Sequence, residues 1–381
     1  IPTGKDSLSM KQKYPNDEVI APGTVIISAA GNCSNITKVV EPVLQRNGGN
    51  IYYINLSQDS FKLGGSSFAQ VLNKIGNDVP TIKNSEFFKK AFNVLQDLIK
   101  DRKIKAGHDI GSGGLITTLL EMCFADDKLG ALIDLTSLRE KDTVKALFNE
   151  NIGVVFQANA EVEATFAQHN IEIFKIGSAI DGDAFTVING DDSLTFSIAT
   201  LRDTWYKTSF LLDSKQSKNG MAQARFDNYK NQKLQFTFPS HFDGKLPIID
   251  ASKPRPKAAI IREKGSNSER EMANAMFLAG FDVKDVHMTD LISGRETLED
   301  IQFIGAVGGF SNSDVLGSAK GWAGAFLYNE KANTALKNFF KREDTLSVGI
   351  CNGCQLLMEL ELINPEHEVH GKMHHNTSNK H

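Results

Sequence analysis

Short apolar runs alternate with longer amphipathic segments over the last third of the chain. The strand-like runs are KAAII (257–261), FDVKDVHM (281–288), FIGAVGG (303–309) and TLSVGI (345–350), and the helix-like segments are SEREMANAMFLAG (268–280), GWAGAFLYNEKANTALKNFF (321–340) and CQLLMELEL (354–362). Because strands and helices take turns along this region, the pattern predicts an α/β domain with a mainly parallel sheet covered on both faces.

The first of these predicted helices carries signals at both ends. Ser268, with Glu271 three residues later, has the spacing of a capping box at a helix N-terminus. Gly280 suits the position just after a helix C-terminus, where a left-handed backbone is common. We therefore expect a helix bounded by Ser268 and Gly280.

Residues 24–200 mix strand and helix periods in a different order. The strand-like runs are TVIISAAG, NIYYINLS, ALIDL, IGVVFQAN, IEIFKIGS, AFTVIN and LTFSIA, and the helix-like segments are SSFAQVLNKIG, SEFFKKAFNVLQDLIKD and GLITTLLEMCFADD. Because the last strands follow one another quickly, the pattern predicts an α+β domain with an antiparallel component.

A polar stretch separates the two patterned regions. Residues 202–254 have few periodically apolar positions, and prolines cluster at the end of the stretch, so we interpret it as a linker that could include one short helix. The predicted division is a first domain at 1–201, the linker at 202–254 and a second domain at 255–381.

Composition narrows the class of protein. The chain has 381 residues, 41% hydrophobic and 23% charged, with a net charge of −4. This charge offers no electrostatic case for nucleic acid, and no apolar run reaches the roughly 18–20 residues of a membrane span. Four scattered cysteines do not form a disulfide framework, so we expect a reducing cytoplasm.

Gly349-Ile350-Cys351-Asn352-Gly353 lies between a predicted strand and a predicted helix. Glycines on both sides of Cys351 permit the tight turn of a nucleophile elbow, which lifts the side chain out of the end of the sheet. The N-terminus of the next helix favours a thiolate, and the backbone N–H of Asn352 suits an oxyanion donor. Cys351 is therefore a candidate nucleophile.

Three other interpretations of Cys351 stay open from spacing alone. Cys351 and Cys354 form a CxxC pair, as in redox sites. The same pair would supply half of the ligands of a zinc site, although no second CxxC or suitable histidine pair completes such a site. A buried structural cysteine is the third.

GGFSNSD (308–314) follows another predicted strand of the same domain. Glycines at the carboxyl end of a strand allow a ligand to approach the backbone closely, although a simple turn explains them equally well. Together with the cysteine elbow, the motif makes the backbone of Gly309 a candidate second oxyanion donor.

Two glycine-rich turns precede predicted helices in the first domain. GHDIGSGGL (107–115) suits a phosphate or metal–nucleotide site at Gly113 and Gly114, with Asp109 as the metal ligand. A turn without a ligand, and a structural role for His108, are the alternatives.

The second turn, KLGGSSFAQ (62–70), places Gly64, Gly65 and Ser66 before a helix in a similar way. Its alternative is an ordinary N-cap at Ser66 or Ser67.

Both chain ends contain weaker candidates. Lys5 and Asp6 suggest contact with a phosphate or metal, but their surroundings do not fit a P-loop. The histidines near the C-terminus do not form HExxH, and we expect an exposed polar segment there.

Taken in order, these motifs resemble the large, single-chain phosphoribosylformylglycinamidine synthases. The matching stretches are IPTGKDSLSMK, KLGGSSFAQV, GHDIGSGGLITTLLEMCFA, LFNENIGVVFQ, RPKAAIIREKGSNSEREMANAMFLAGFDVKDVHMTDL, GGFSNSDVLG and GICNGCQLL. Only residues 205–250 match loosely. The joint order is far more specific than any one motif.

The resemblance implies a fold and a reaction. The fold would be the C-terminal half of an aminoimidazole ribonucleotide synthetase-like domain, followed by a truncated class I glutaminase domain with a flavodoxin-like parallel sheet. The reaction would be ATP-dependent conversion of formylglycinamide ribonucleotide and glutamine into formylglycinamidine ribonucleotide in purine biosynthesis, with Mg²⁺ accompanying ATP.

The resemblance also assigns residues. Cys351 would be the nucleophile, and Gly309, Asn352 and Gln355 would bind glutamine and the oxyanion. The ATP and substrate phosphates would lie near Lys5, Asp6, Gly64, Gly65, Ser66, Gly113 and Gly114, and the metal at Asp109.

Two departures from the family pattern bear on these assignments. Gly111-Ser112-Gly113-Gly114 replaces a common SDGG, which removes one acidic residue beside Asp109, and Asn312-Ser313 replaces Tyr-Gly in the GGFSYGD pattern.

The family's His-x-Glu is expected well downstream of the cysteine, and this chain stops first. We therefore expect a fragment that needs the rest of its parent chain and is inactive alone. Another glutamine amidotransferase, or a non-catalytic glutaminase-like module, remains an alternative.

Overall fold

The computed structural model describes residues 3–7, 11–20, 24–126, 128–231, 236–250 and 252–380, with only the backbone described at 3–7 and 24. These residues divide into two compact units. The first unit comprises Ile1–Gln216 and Gly220–Lys245, and the second comprises Ser217–Asn219 and Leu246–His381.

The first unit is built on a mixed sheet. Its strands, in the part of the chain that the structure describes, are β1 (Thr3–Ser7), β2 (Lys11–Tyr14), β3 (Asp17–Ile20), β4 (Thr24–Ser28), β5 (Asn50–Asn55), β6 (Ile104–Asp109), β7 (Leu129–Asp134), β8 (Gly153–Ala158), β9 (Phe174–Asp181), β10 (Ala184–Asn189) and β11 (Asp192–Ser197). Seven of them form one sheet in the order β11-β10-β7-β9-β5-β8-β6. Within this sheet, as far as the structure describes it, only β10 and β7 pair in parallel, which confirms the antiparallel component.

Helices cover both faces of this sheet. They are α1 (Ser67–Val71), α2 (Ser85–Lys100), α3 (Gly114–Cys123), α4 (Thr143–Phe148), α5 (Val162–Gln168), α6 (Ile198–Gln216) and α7 (Met221–Asn228). Strand β5 shows how two cores arise from one strand: Ile51 and Tyr53 enter the core shared with α3 and α4, whereas Tyr52 and Ile54 enter the core shared with α2 and α5. Alternate residues of a strand point to opposite faces, so a fully apolar strand fills both cores.

The second unit has the predicted α/β architecture. Its described strands are β12 (Lys257–Arg262), β13 (Ser266–Asn267), β14 (Asp282–His287), β15 (Phe303–Ala306), β16 (Gly308–Gly309) and β17 (Leu346–Gly349), and its helices are α8 (Glu269–Leu278), α9 (Met288–Ser293), α10 (Lys320–Tyr328), α11 (Glu330–Phe340) and α12 (Asn352–Glu359). Four strands form a parallel sheet in the order β14-β12-β15-β17. Ala259 and Ile261 of β12 pack towards α9–α12, and Ala258 and Ile260 pack towards α8.

The predicted capping box at Ser268 is wrong. Ser268 does precede α8, but its backbone is left-handed, with φ 72°, and its side chain makes no cap hydrogen bond. A capping serine needs an extended backbone to aim its hydroxyl at the first turn. The left-handed turn follows from β13, whose Asn267 accepts the Ser268 N–H at 2.8 Å. The predicted stop at Gly280, with φ 102°, is confirmed.

The segment 321–340 forms two helices rather than one. Asn329 interrupts it with φ −106° and ψ 118°, and the side chain of Asn329 accepts the N–H of Ala332 at 3.0 Å, which caps α11. Asparagine competes with helical hydrogen bonding through its own side chain, so it ends one helix and starts the next.

The stretch 202–254 contains more helix than expected. Helix α6 crosses the predicted boundary at 201, and α7 follows it. Aromatic contacts hold α6 in place of an aliphatic stripe: Trp205 lies 5.9 Å from Phe124, and Tyr206 stacks on Tyr229 at 3.8 Å between ring centroids. The helix was difficult to recognise in the sequence because two of its three buried residues, Arg202 and Asp213, are charged.

Candidate functional site

The cysteine motif lies at the carboxyl edge of the parallel sheet of the second unit. Strand β17 ends at Gly349, Cys351 stands just before α12, and its side chain is exposed. The backbone of Cys351 has φ 54° and ψ −110°. A residue other than glycine adopts such angles only where the surrounding structure imposes them. The strand–turn–helix with a strained, exposed cysteine is the geometry that the sequence predicted.

The flanking glycines allow the turn to be this tight. A Cβ added to Gly349 would lie 2.5 Å from the carbonyl oxygen of Gly353. A Cβ added to Gly353 would overlap the carbonyl oxygen of Ala306, at the end of β15. The turn therefore packs directly on the neighbouring strand, and side chains at either position would push Cys351 away from the sheet.

Gly308 of the GGFSNSD motif lies beside the cysteine. A Cβ built on Gly308 would be 3.3 Å from Cys351 Cβ and 3.9 Å from Sγ. Gly309 has φ 107° and pairs with Ser266 of β13, where a Cβ would meet backbone atoms at 2.7 Å. Backbone rather than side chain therefore faces the thiol at this point.

The side chain of Asn352 joins the two motifs. Its Oδ1 accepts the N–H of Ser311 at 3.1 Å, and its Nδ2 donates to Gln355 Oε1 at 2.9 Å. Asn352 and Ser311 are each 1% exposed. The sequence predicted a role as oxyanion donor for the backbone N–H of Asn352 but none for its side chain. No local pattern reveals a side-chain contact across 41 residues.

The loop after Gly309 departs from helix and strand geometry. Asn312, Ser313 and Asp314 have φ values of 52°, 57° and 47°. Asn312 and Ser313 are the two residues that replace Tyr-Gly of the GGFSYGD pattern. A run of left-handed residues without glycine is rare, since each one crowds its own Cβ.

A second polar pair, which the sequence did not suggest, lies along the same sheet edge. His287 ends β14 and Glu263 follows β12, with Nε2 and Oε1 4.0 Å apart. The N–H of Thr289 donates to His287 Nδ1 at 3.2 Å, which leaves the ring proton of the neutral histidine on Nε2, facing Glu263.

The two glycine-rich turns of the first unit meet at one carboxylate. Glu150 Oε1 accepts the N–H of Ser67 and the N–H of Gly113, both at 2.8 Å. The predicted helix start at Gly114 is confirmed, and Ser66 caps α1 by accepting the N–H of Ala69 at 3.2 Å. The two turns, considered separately in the sequence, form one structural feature.

The backbone donors of these turns already have protein acceptors. Gly113 N–H donates to Glu150, and the others donate as follows: Gly64 to Asp78 O at 2.9 Å, Gly65 to Ile75 O at 2.7 Å, Ser66 to Leu63 O at 3.3 Å and Gly114 to Gly111 O at 3.1 Å. An anion that binds these N–H groups must therefore displace an acceptor.

A salt-bridge cluster holds the loop that carries Gly64 to Ser66. Lys62 Nζ lies 3.1 Å from Asp59 and 3.2 Å from Asp78, and Lys83 lies 3.8 Å from Asp59. Burial raises the pKa of Asp59, but hydrogen bonds from Thr81 and Lys62 and the charges of Lys62 and Lys83 outweigh it and lower the pKa to about 2.

Asp109 ends β6 and its side chain is 85% exposed, 3.4 Å from His108 Nδ1. His108 also lies 3.4 Å from Glu121. Among the described residues, no group of three or more histidine, cysteine, aspartate or glutamate side chains is arranged to hold a metal ion. Asp109 therefore offers a single carboxylate, which suffices only for an ion held mainly by water and substrate phosphates.

The terminal candidates are only partly described. Lys5 and Asp6 lie in β1, paired with Ile26 and Val25, but their side chains lie outside the described residues. His370 lies 3.7 Å from Glu361, and His374 and His375 are exposed. In the described ranges, no helix has the length and apolarity needed to cross a membrane.

Comparison with known proteins relates both units to characterised families. Residues 255–381 match the CobB/CobQ-like glutamine amidotransferase domain, and residues 49–189 match the C-terminal domain of AIR synthase related proteins. A probable phosphoribosylformylglycinamidine synthase, chloroplastic/mitochondrial, of Arabidopsis thaliana is 39% identical over 98% of this chain and 27% of its own length. The phosphoribosylformylglycinamidine synthase of Homo sapiens is 38% identical over 93% of this chain and 27% of its own length.

A solved structure of Thermotoga maritima PurL complexed with FGAR aligns with 44% of this chain and 30% of its own, at 17% identity and a TM-score of 0.36, a likeness too slight to support an argument. The chain thus spans 27% of the length of the two curated relatives.

Proposed function

The chain belongs to the phosphoribosylformylglycinamidine synthases as a segment that spans 27% of its curated relatives, and on that premise we propose that its second unit is a glutaminase with Cys351 as the nucleophile. One observation carries the proposal: an exposed cysteine with strained backbone angles stands at a strand-to-helix turn, directly beside Gly308. An elbow of this kind presents a nucleophile to a substrate lying over the edge of the sheet.

The proposed chemistry is acyl transfer. The thiolate of Cys351 attacks the side-chain amide carbon of glutamine, and the carbonyl oxygen becomes an oxyanion held by the N–H groups of Gly309 and Asn352. Collapse of this intermediate breaks the C–N bond, the leaving nitrogen takes a proton and departs as ammonia, and a glutamyl thioester remains. Water then hydrolyses the thioester to glutamate and restores the thiol.

The proton transfers need a base near the sulfur. In the described residues, histidines contact carboxylates at His108, His287 and His370, and none of these contacts involves Cys351. As the base we propose the histidine of the His-x-Glu that the family resemblance implies downstream of Cys351.

The test uses the full-length protein with Cys351→Ala. Formylglycinamidine ribonucleotide formation is measured with glutamine and, separately, with ammonium. We expect the glutamine-dependent rate to fall by a factor of about 10³ or more, and the ammonium-dependent rate to be retained, because ammonia bypasses the thioester. Full activity of the variant with glutamine would rule out the elbow as the nucleophile.

For the first unit we propose a part in the synthetase reaction. There, ATP would phosphorylate the amide oxygen of formylglycinamide ribonucleotide, ammonia would displace the phosphate, and the products would be formylglycinamidine ribonucleotide, ADP and phosphate. The match of residues 49–189 to the AIR synthase related domain supports this assignment.

We place the nucleotide or substrate phosphates near the paired turns at Gly64–Ser66 and Gly113–Gly114, with Lys5 and Asp6 as further candidates. Phosphate binding through the N–H groups of Ser67 and Gly113 would require Glu150 to be displaced. Binding through the other donors of these turns would require each to leave its backbone carbonyl acceptor. Asp109 would hold Mg²⁺, which would neutralise phosphate charge when bound.

Asp109→Asn in the full-length protein tests the metal assignment, with glutamine hydrolysis as its internal control. The Mg²⁺ concentration for half-maximal ATP-dependent activity should rise about tenfold, since one charged ligand of a few is lost. An unchanged Mg²⁺ requirement would remove Asp109 from the metal site.

We also propose a reducing compartment and retain the division 1–201, 202–254 and 255–381 as a proposal. Cys33, Cys123, Cys351 and Cys354 are all free thiols, which supports the reducing compartment, with the cytoplasm as its first candidate. The name of the plant relative points instead to chloroplasts and mitochondria for that protein.

A further inference from the structure

We propose that Asn352 is a positioning residue that fixes the side-chain amide of Gln355 as a hydrogen-bond donor towards the substrate. The site would therefore recognise an oxygen atom of glutamine, rather than its ammonium group, at this point. The inference rests on the proposed glutaminase function. It adds a role for the Asn352 side chain and specifies that Gln355 donates, rather than accepts, the hydrogen bond to the substrate.

The polarity follows from a chain of hydrogen bonds that begins at the backbone. The N–H of Ser311 can only donate, so the Asn352 atom 3.1 Å from it must be the carbonyl oxygen Oδ1. The other end of the same amide is then Nδ2, which can only donate. Its partner at 2.9 Å on Gln355 must therefore be Oε1. Both amide orientations are thus determined by an unambiguous backbone donor.

The orientation of the Gln355 amide leaves its Nε2 atom open as a donor. With Oε1 engaged by Asn352, the remaining end of the Gln355 amide carries two N–H donors. Within the described part of the chain, Nε2 has no hydrogen-bond partner, and Gln355 is partly exposed. A donor left open one helical turn from Cys351 is available to a ligand oxygen.

The helix directs these donors towards the cysteine. The N–H of Gln355 donates to the carbonyl oxygen of Cys351 at 3.1 Å, which places Gln355 one turn after the nucleophile. A helical side chain lies over the turn that precedes its own Cα. The Gln355 amide therefore covers the turn that starts at Cys351.

Burial makes this relay rigid. Ser311 and Asn352 are each 1% exposed, so water does not substitute for the hydrogen bond between them. Rotation of the Asn352 amide would set Nδ2 against the Ser311 N–H and leave both donors unsatisfied, which buried groups strongly disfavour. The same contact ties the loop after Gly309 to the elbow, so one side chain positions both the donor and the oxyanion loop.

Binding of L-glutamine to the full-length protein, measured by calorimetry in a Cys351→Ala background to prevent turnover, tests the polarity. Gln355→Met removes the donor and should weaken binding about tenfold. Gln355→Glu keeps an acceptor for Asn352 but presents an oxygen to the substrate, and it should weaken binding further. Equal or tighter binding by Gln355→Glu than by the parent would overturn the donor assignment.

A double-mutant cycle tests the positioning role of Asn352. Asn352→Ala frees the Gln355 amide and should weaken binding several-fold in the parent. Most of that effect should be lost when Gln355 is already Met, because the part that passes through the Gln355 amide is then absent. Effects that simply add would show that Asn352 acts independently of Gln355 and would overturn the relay.

Two controls separate this inference from its premise. Thermal melting of each variant identifies any that fail to fold, and the two substitutions at the partly exposed Gln355 decide the polarity even if Asn352→Ala unfolds. Absence of glutamine binding to the parent would count against the proposed glutaminase itself. If the parent binds L-glutamine and none of the substitutions changes the affinity, the result would count against the relay alone.

Discussion

Glu150 accepts the backbone N–H of Gly113 at 2.8 Å, at the start of α3. The same oxygen accepts the N–H of Ser67 at the start of α1. One carboxylate thus satisfies donors at the starts of two helices, where the partial positive charge favours an anion. The Glu150 side chain therefore holds the two glycine-rich turns together.

Glu150→Ala should lower the free energy of unfolding by about 2 kcal/mol, because two hydrogen bonds to a charged acceptor are lost. Glu150→Gln keeps an oxygen acceptor without the charge and should lose less than half as much. Chemical denaturation of both variants measures the difference. Equal stability of Glu150→Ala and the parent would show that water replaces the carboxylate without penalty.

Cys351→Gly should be more stable than Cys351→Ala by about 1 kcal/mol, although neither variant retains a thiol. The reason is the backbone: φ 54° and ψ −110° strain any residue with a Cβ, and glycine adopts them freely. Urea denaturation of the two variants checks this. If alanine is the more stable variant, the turn does not hold these angles in solution.

Gly353→Ala should destabilise the second unit by about 3 kcal/mol through overpacking against the carbonyl of Ala306. The matched control is Gly324→Ala in α10, where the new Cβ would lie 3.7 Å from the Tyr328 ring. That substitution should be neutral or stabilising, because alanine favours a helix over glycine. Similar melting temperatures for the two variants would contradict the close packing of the elbow.

Asp59 should make the first unit sensitive to acid. Its folded-state pKa, about 2, lies below the ordinary value of 3.8, so its contribution to stability is complete above pH 3.8 and disappears as pH falls through 2. The stability difference between the parent and Asp59→Asn should shrink over that window. The exposed Asp97→Asn serves as a control, and a difference that stays constant from pH 5 to pH 2 would refute the prediction.

The sequence predicted elements well where periodicity was strong. The strand KAAII and the elbow at Cys351 were found because a short apolar run and glycine spacing are local properties. Helix α6 was missed because its buried residues, Ile198, Arg202 and Asp213, form no aliphatic stripe, and aromatic rings make its contacts. The capping box at Ser268 failed because the adjoining strand β13, paired with β16, imposes a left-handed turn that no local pattern shows.

The sequence by itself determined the chemistry available to this protein: a cysteine between glycines, glycine-rich turns before helices, and an order of motifs that specifies a family. These features depend on neighbouring residues, and so they can be read along the chain. Only the tertiary structure decided which groups meet. Glu150 joins turns that lie 46 residues apart, from Ser67 to Gly113, and Asn352 reaches Ser311 across 41 residues. Such contacts arise from strand order and helix packing, which bring distant residues together. The local sequence around each residue does not predict them.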